Sequence, residues 1–163
     1  MAVTDEAARR FEFVDPDRIG VLGGSYGGYM TSWMIGHTDR FKAAVSERAC
    51  NNLLTLEHTS DVAGSFRTEI GVTHLDHPEE YLRQSPITYV REMQTPLLII
   101  HSENDLRCAI EQAEELFVAL RMLGRTPEFL RFPGVSHELS RSGAPKHRVQ
   151  RIEAILDFFD RKL

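Results

Sequence analysis

The sequence predicts an α/β fold built on a mostly parallel sheet of about four strands flanked by helices. Four short β-like runs, Arg18–Leu22, Phe41–Ser46, Pro96–His101 and Pro127–Phe132, alternate with helix-like stretches, the pattern of successive βαβ units. Their apolar stretches, Val21-Leu22, Ala43-Ala44-Val45 and Leu97-Leu98-Ile99-Ile100, are continuous rather than alternating, as in parallel strands covered on both faces. The length of 163 residues, with 42% apolar and 26% charged side chains, suits one domain. A domain of that size hides about two-thirds of its surface, enough for a core.

Each element has a local reason. The first run leads into a helix-like stretch from Tyr26 to Ile35. Between Asn51 and Tyr89 the pattern breaks into short helices and loops, with Pro78 opening a helix ahead of Glu79-Glu80-Tyr81 and Pro86 interrupting it. Ile110, Ala113, Leu116, Phe117, Leu120 and Leu123 then recur at three- and four-residue spacing, and Gly124 follows as a left-handed cap. Val149, Ile152, Ile155, Leu156 and Phe159 mark a closing helix whose Arg161 and Lys162 suit its C-terminus. There is no internal repeat or linker, so residues 1–163 read as one unit.

Composition narrows the function classes. Nineteen Lys and Arg against 24 Asp and Glu give a net charge of −5 with no basic tract, which argues against nucleic acid as a partner. No apolar run approaches the ~18 residues of a membrane span. Met1-Ala2-Val3-Thr4-Asp5-Glu6 puts acids where a secretory signal carries basic residues, so the expected location is cytoplasmic. Cys50 and Cys108 stand outside any CxxC spacing and read as two reduced, structural thiols that could still meet in space.

The sharpest motif is Gly23-Gly24-Ser25-Tyr26-Gly27-Gly28, a G-x-S-x-G directly after a strand and before a helix. A nucleophile elbow needs this spacing, because the serine occupies a strained strand-to-helix turn that exposes its hydroxyl. The close approach of neighbouring backbone is expected to leave no room for side chains at Gly23 and Gly27. The helix N-terminus then offers the backbone N–H of Tyr26 to a developing oxyanion. Nucleotide-binding alternatives fail on spacing: no two glycines stand two apart as in G-x-G-x-x-G, and no Gly-Lys-Ser/Thr follows.

A serine nucleophile needs a general base, and the base needs an orienting carboxylate. In α/β-hydrolases the order is Ser, then Asp or Glu, then His. His101-Ser102-Glu103-Asn104-Asp105 follows the third run and Pro133-Gly134-Val135-Ser136-His137 the fourth, both at the strand ends where sites of parallel sheets gather. Asp105 competes with Glu103 for the carboxylate role, and an Asp here also suits a helix cap ahead of Ile110. Of the seven histidines, only His137 combines the chain order with a loop after the final strand. A metal is not expected: His74-Leu75-Asp76-His77 lacks a second ligand pair, and Arg141 stands where H-E-x-x-H after His137-Glu138 would need histidine. Glu79-Glu80 and Glu114-Glu115 read as solvated helix faces.

With Gly-Gly-Ser-Tyr-Gly-Gly, His-Ser-Glu-Asn-Asp-Leu-Arg-Cys and Phe-Pro-Gly-Val-Ser-His-Glu taken together, the chain resembles the prolyl oligopeptidase family of serine peptidases, in its acylaminoacyl-peptidase-like branch. The resemblance runs along nearly the whole chain. It implies Ser25 as nucleophile, Asp105 as orienter and His137 as base, and so decides between Asp105 and Glu103. Ser102 and Ala109 stand where relatives often carry Gly and Pro, changes that remove no chemistry. It also implies a serine peptidase acting on short or N-acylated peptides without a cofactor.

By the same resemblance, residues 1–163 correspond to the C-terminal portion of an α/β-hydrolase catalytic domain, lacking the β-propeller and the N-terminal half of the sheet. Two expectations follow. The second oxyanion donor of such enzymes comes from an early His-Gly-Gly loop, and no His-Gly pair occurs here; loss of one donor typically costs ~100–1000-fold in turnover. The elbow strand becomes an exposed edge, so the chain is expected to self-associate near Ile19–Leu22 or through helices that would otherwise contact the missing half. The alternatives are an esterase acting on small acyl esters, or a catalytically silent fragment serving only as an assembly unit.

Overall fold

In the computed structural model, which describes residues 1–163, strands β1 (Gly20–Gly24), β2 (Ala43–Glu47), β3 (Leu97–Ser102) and β4 (Glu128–Phe132) form one sheet in the order β1-β2-β3-β4. Every pairing is parallel, with Val21 opposite Ala44, Val45 opposite Leu98 and Ile100 opposite Leu130. The expected strands are all present, displaced by one or two residues. The first shows the largest shift: Arg18 and Ile19 lie outside β1, which runs on through Gly23 and Gly24 to the elbow.

Parallel neighbours need crossovers, and right-handed crossovers stepping in one direction along a sheet place their helices on the same face. Accordingly α2 (Tyr26–Ile35), after the N-terminal α1 (Ala2–Arg10), and the later α6 (Glu111–Met122) pack on one face, where Ile35, Ala44, Leu97, Ile99, Leu116 and Leu120 form a core. The opposite face is covered after β4 by α7 (Leu139–Ser142) and α8 (Pro145–Lys162), with Val45, Leu98, Ile100, Leu139, Ile155 and Phe158 buried between them. Both faces of β2 and β3 are thereby sealed, the reason their sequences are continuously apolar. α8 extends back to β1, where a Cβ on Gly20 would come within 2.5 Å of the Phe159 ring.

The stretch between β2 and β3 contains α3 (Leu53–Thr59), α4 (Ser65–Ile70), α5 (Pro78–Arg83) and a 3₁₀ turn at Pro86–Tyr89. Asn52 caps α3 by accepting from the N–H groups of Leu54 and Thr55. These pieces build a third core beyond the strand ends, from Tyr29, Cys50, Leu53, Leu56, Tyr81 and Cys108. α6 ends as expected: Gly124 takes φ +75°, the Arg125 N–H donates to the Leu120 carbonyl and the Gly124 N–H to that of Arg121, closing a Schellman motif. No apolar pattern in the sequence marks α1. This helix lacks any buried residue and is tied down by an Arg40–Asp5 ion pair rather than by an apolar stripe.

Candidate active site

β1 delivers Ser25 to the elbow with φ +62° and ψ −122°, a conformation that L-residues rarely adopt. Two backbone bonds hold it there: the Ser25 N–H donates to the Glu47 carbonyl at 3.0 Å, and its carbonyl accepts from the Tyr29 N–H at 2.9 Å. A serine at the N-cap of a helix ordinarily turns its hydroxyl onto that helix. Here the Ser25 side chain makes no capping bond. Its Oγ lies instead 3.0 Å from His137 Nε2.

The other imidazole nitrogen, His137 Nδ1, lies 2.7 Å from Asp105 Oδ2. Asp105 is 2% exposed, and its second oxygen accepts from the backbone N–H groups of Arg107 and Cys108, each at 2.9 Å. Buried polar groups demand such partners. With a carboxylate oxygen as acceptor on one side, Nδ1 is the protonated nitrogen and donates, leaving Nε2 to accept from the Ser25 hydroxyl. Glu103, the rival carboxylate, is exposed and turned toward Arg131 at 3.3 Å.

The elbow glycines divide differently from expectation. A Cβ on Gly23 would lie 2.2 Å from the Gly27 carbonyl oxygen, so no side chain fits. A Cβ on Gly27 would meet nothing within 4 Å, which corrects the expectation of crowding there. The crowding falls instead on Gly28, where a Cβ would come 2.5 Å from the Glu47 carbonyl oxygen. Tyr26 is the first residue of α2, so its N–H is among the four that a helix leaves without an intrahelical partner.

Several groups that shape this site carried no sequence signal of their own. Glu47 ends a fully buried strand, and its carboxylate receives Arg151 of α8 through Nε and Nη2, each at 2.5 Å. Gln112 is fully buried and pins the loop after β2, accepting from both Asn51 and Asn52 N–H at 2.8 Å. Arg48, at φ +37°, packs its guanidinium against Gly24 and donates to Ser140 Oγ, three residues after His137. These partners lie between 60 and 104 positions apart, beyond the reach of any local pattern.

His101 packs beneath the site, with Nε2 2.7 Å from the Cys108 carbonyl. Burial holds its imidazole below the ordinary histidine range, against the opposing pull of that carbonyl and of Asp105. The remaining five histidines engage other partners: His37 stacks on Trp33, His58 packs against His74, which faces Glu57, His77 pairs with Glu79, and His147 packs on the Phe132 ring.

Comparisons with known proteins agree with the fold and the motif order. The profile of the prolyl oligopeptidase family matches residues 1–163. An uncharacterized peptidase of Bacillus subtilis, YuxL, is 46% identical over the whole of this chain and 25% of its own length. The acylamino-acid-releasing enzyme of Mus musculus is 28% identical, covering 79% of this chain and 19% of that protein. The structure of the Pyrococcus horikoshii acylaminoacyl peptidase superposes with a TM-score of 0.92 at 36% identity, over 98% of this chain and 26% of that one. The chain thus spans about a quarter or less of the length of these relatives. Matched along its full length by the family profile, and carrying the three motifs around Ser25, Asp105 and His137 on which the resemblance rests, the chain belongs to the prolyl oligopeptidase family.

Proposed function

We propose that Ser25, His137 and Asp105 carry out acyl transfer to water, with short or N-acylated peptides as substrates. The observation that carries this reading is the unbroken hydrogen-bond relay from Ser25 Oγ through His137 to Asp105, at 3.0 and 2.7 Å. As Ser25 Oγ attacks the scissile carbonyl, its proton passes to His137 Nε2. Asp105 holds the imidazole in the accepting tautomer and stabilises the imidazolium that forms. The Tyr26 N–H donates to the tetrahedral oxyanion, and His137 then protonates the leaving amine. Water, activated by the same histidine, hydrolyses the Ser25 ester. The substrate class is supported by the likeness to the P. horikoshii acylaminoacyl peptidase.

The test is covalent labelling of the chain with a fluorophosphonate, read by intact mass beside Ser25→Ala. Stoichiometric labelling that disappears in the variant is the expected result. A folded chain that stays unlabelled overturns the reading and leaves an assembly unit as its function. An esterase acting on small acyl esters is the second reading, because the same Ser25–His137–Asp105 geometry serves attack on an ester carbonyl. Turnover of an ester and an amide sharing one acyl group separates the two.

The proposal extends to self-association. β1 pairs with β2 alone, Leu22 on that edge is 54% exposed, and Val149, Ile152 and Leu156 leave an apolar stripe on α8. An uncovered edge beside apolar surface recruits a second strand, here that of another copy.

A further inference from the structure

Cys50 and Cys108 are 58 positions apart in sequence, yet their sulfurs lie 3.3 Å from each other beyond the ends of β2 and β3. Both are free thiols, 6% and 2% exposed, packed among Tyr29, Leu53, Leu56 and Tyr81. Cys108 is also wired to the candidate active site. Its N–H donates to Asp105 Oδ1 at 2.9 Å, and its carbonyl accepts from His101 Nε2 at 2.7 Å. Cys50 adjoins the Asn51 backbone that Gln112 clamps, so the two sulfurs sit on differently anchored segments.

We propose that Cys50 and Cys108 form a reversible disulfide, made by hydrogen peroxide and reopened by a thiol, that displaces a backbone donor from Asp105 and slows the chemistry at Ser25. The effect on Ser25 rests on the hydrolase reading above; the disulfide itself does not. Bond formation takes the sulfurs from 3.3 Å to about 2.05 Å. With Cys50 braced by the Gln112 clamp, the movement falls on the turn from Asp105 to Cys108, lengthening the Cys108 N–H bond to the carboxylate. The Asp105 carboxylate that steadies the His137 imidazolium then has one charge-assisted donor fewer, and the rate at Ser25 is expected to fall about tenfold.

The chemistry balances with peroxide as the only oxidant. Cys50, the more exposed of the two, attacks as thiolate and cleaves the O–O bond, leaving a sulfenic acid and one water once a proton is taken up. The Cys108 sulfur then displaces the sulfenic oxygen as a second water, losing its own proton. Two thiols and one peroxide become one disulfide and two waters. The thiol of Cys108 is pushed upward by its hydrogen bond to Cys50 and by burial, which keeps it in the protonated, second-acting role. A thiol reductant reopens the bond by exchange.

The test treats the 163-residue chain with peroxide or with a thiol, then alkylates it under denaturing conditions and measures intact mass. A loss of about 2 Da and no alkylation after peroxide, against two alkylations after thiol, is expected. The fluorophosphonate rate at Ser25 then falls about tenfold on oxidation. The His137 Nδ1 proton resonance shifts with it, and thiol restores both. Cys50→Ala and Cys50→Ser each remain peroxide-insensitive, two variants guarding against a folding defect in one. Oxygen-bearing products without a disulfide, or a disulfide that leaves both the rate and the resonance unchanged, overturn the proposal. Should Ser25 stay unlabelled even in the reduced chain, the hydrolase reading fails while mass and resonance still decide the disulfide.

Discussion

Gly23 faces the backbone of Gly27 so closely that a Cβ on the first would stand 2.2 Å from the carbonyl oxygen of the second, while a Cβ on the second would meet nothing. The G-x-S-x-G spacing is therefore asymmetric in its physical demand. Gly23→Ala is expected to destabilise the chain by about 1–3 kcal/mol through overpacking and to abolish Ser25 labelling. Gly27→Ala is expected to be neutral or to stabilise by up to about 1 kcal/mol, since alanine favours helix. Urea denaturation and fluorophosphonate labelling of both variants check this, and equal losses would contradict it.

Asp105→Asn separates positioning from packing. An asparagine oxygen can still accept from the Arg107 and Cys108 N–H groups, but its amide would face His137 Nδ1 and force the wrong tautomer. Labelling of Ser25 is expected to slow by about 10⁴-fold, the scale of replacing the orienting carboxylate by its amide in a serine triad. Glu103→Gln should leave the rate unchanged, because Glu103 is turned toward Arg131. Stopped-flow labelling of the two variants is the measurement.

The Glu47–Arg151 ion pair ties α8 to the strand whose last carbonyl holds the elbow. Its carboxylate side chain is 3% exposed, so Arg151→Met leaves a buried charge without a partner. The expected cost is about 3–5 kcal/mol. Glu47→Gln combined with Arg151→Met should recover a large part of it, and a double-mutant cycle by urea denaturation would expose an additive result as contrary.

His101 gives the fold a dependence on pH. Burial holds its folded pKa below the unfolded value of about 6.5, with Asp105, Glu111 and the Cys108 carbonyl pulling up and His137 adding to the depression. The unfolded chain takes up the proton first, so stability present above about pH 6.5 is lost as pH falls through the folded pKa. Carboxylates held low by arginines, such as Glu128 beside Arg161, lose their contribution only below about pH 4.5. Melting temperatures between pH 7 and 5 should therefore fall less for His101→Gln than for the parent chain.

If the β1 edge seats a second copy, the chain sediments as a dimer whose population rises with concentration. Leu22→Lys places a charge on that edge and should shift it to monomer without altering Ser25 labelling per chain. A parent chain that remains monomeric at high concentration removes the self-association reading.

Legibility in the sequence followed the range of the interactions. The four strands and the helices α2, α6 and α8 were readable because continuous apolar runs, three-and-four spacing and the Gly124 cap are local signals. The elbow was readable for the same reason, since a strand, a glycine pair, a serine and a helix adjoin one another. The short α1 and α7 were not, because neither presents an apolar stripe of useful length. Strand order and the choice of covering helices were decided by crossover geometry, which placed α2 and α6 on one face and α8 on the other.

By itself the sequence determined the fold class, the motif order of Ser25, Asp105 and His137, and the family. Residue order alone left Glu103 and Asp105 as competitors, a choice that the resemblance decided; burial supplies its physical reason, because only Asp105 turns inward to two backbone donors and His137. Only the tertiary structure decided which glycine is crowded, since that depends on backbone atoms brought face to face across a turn. The contacts of Cys50 with Cys108, Glu47 with Arg151 and Gln112 with Asn51 likewise arise only when helices and loops distant in sequence pack at the strand ends. Side-chain chemistry can be read along the chain, but distance between its groups is a property of the packed sheet.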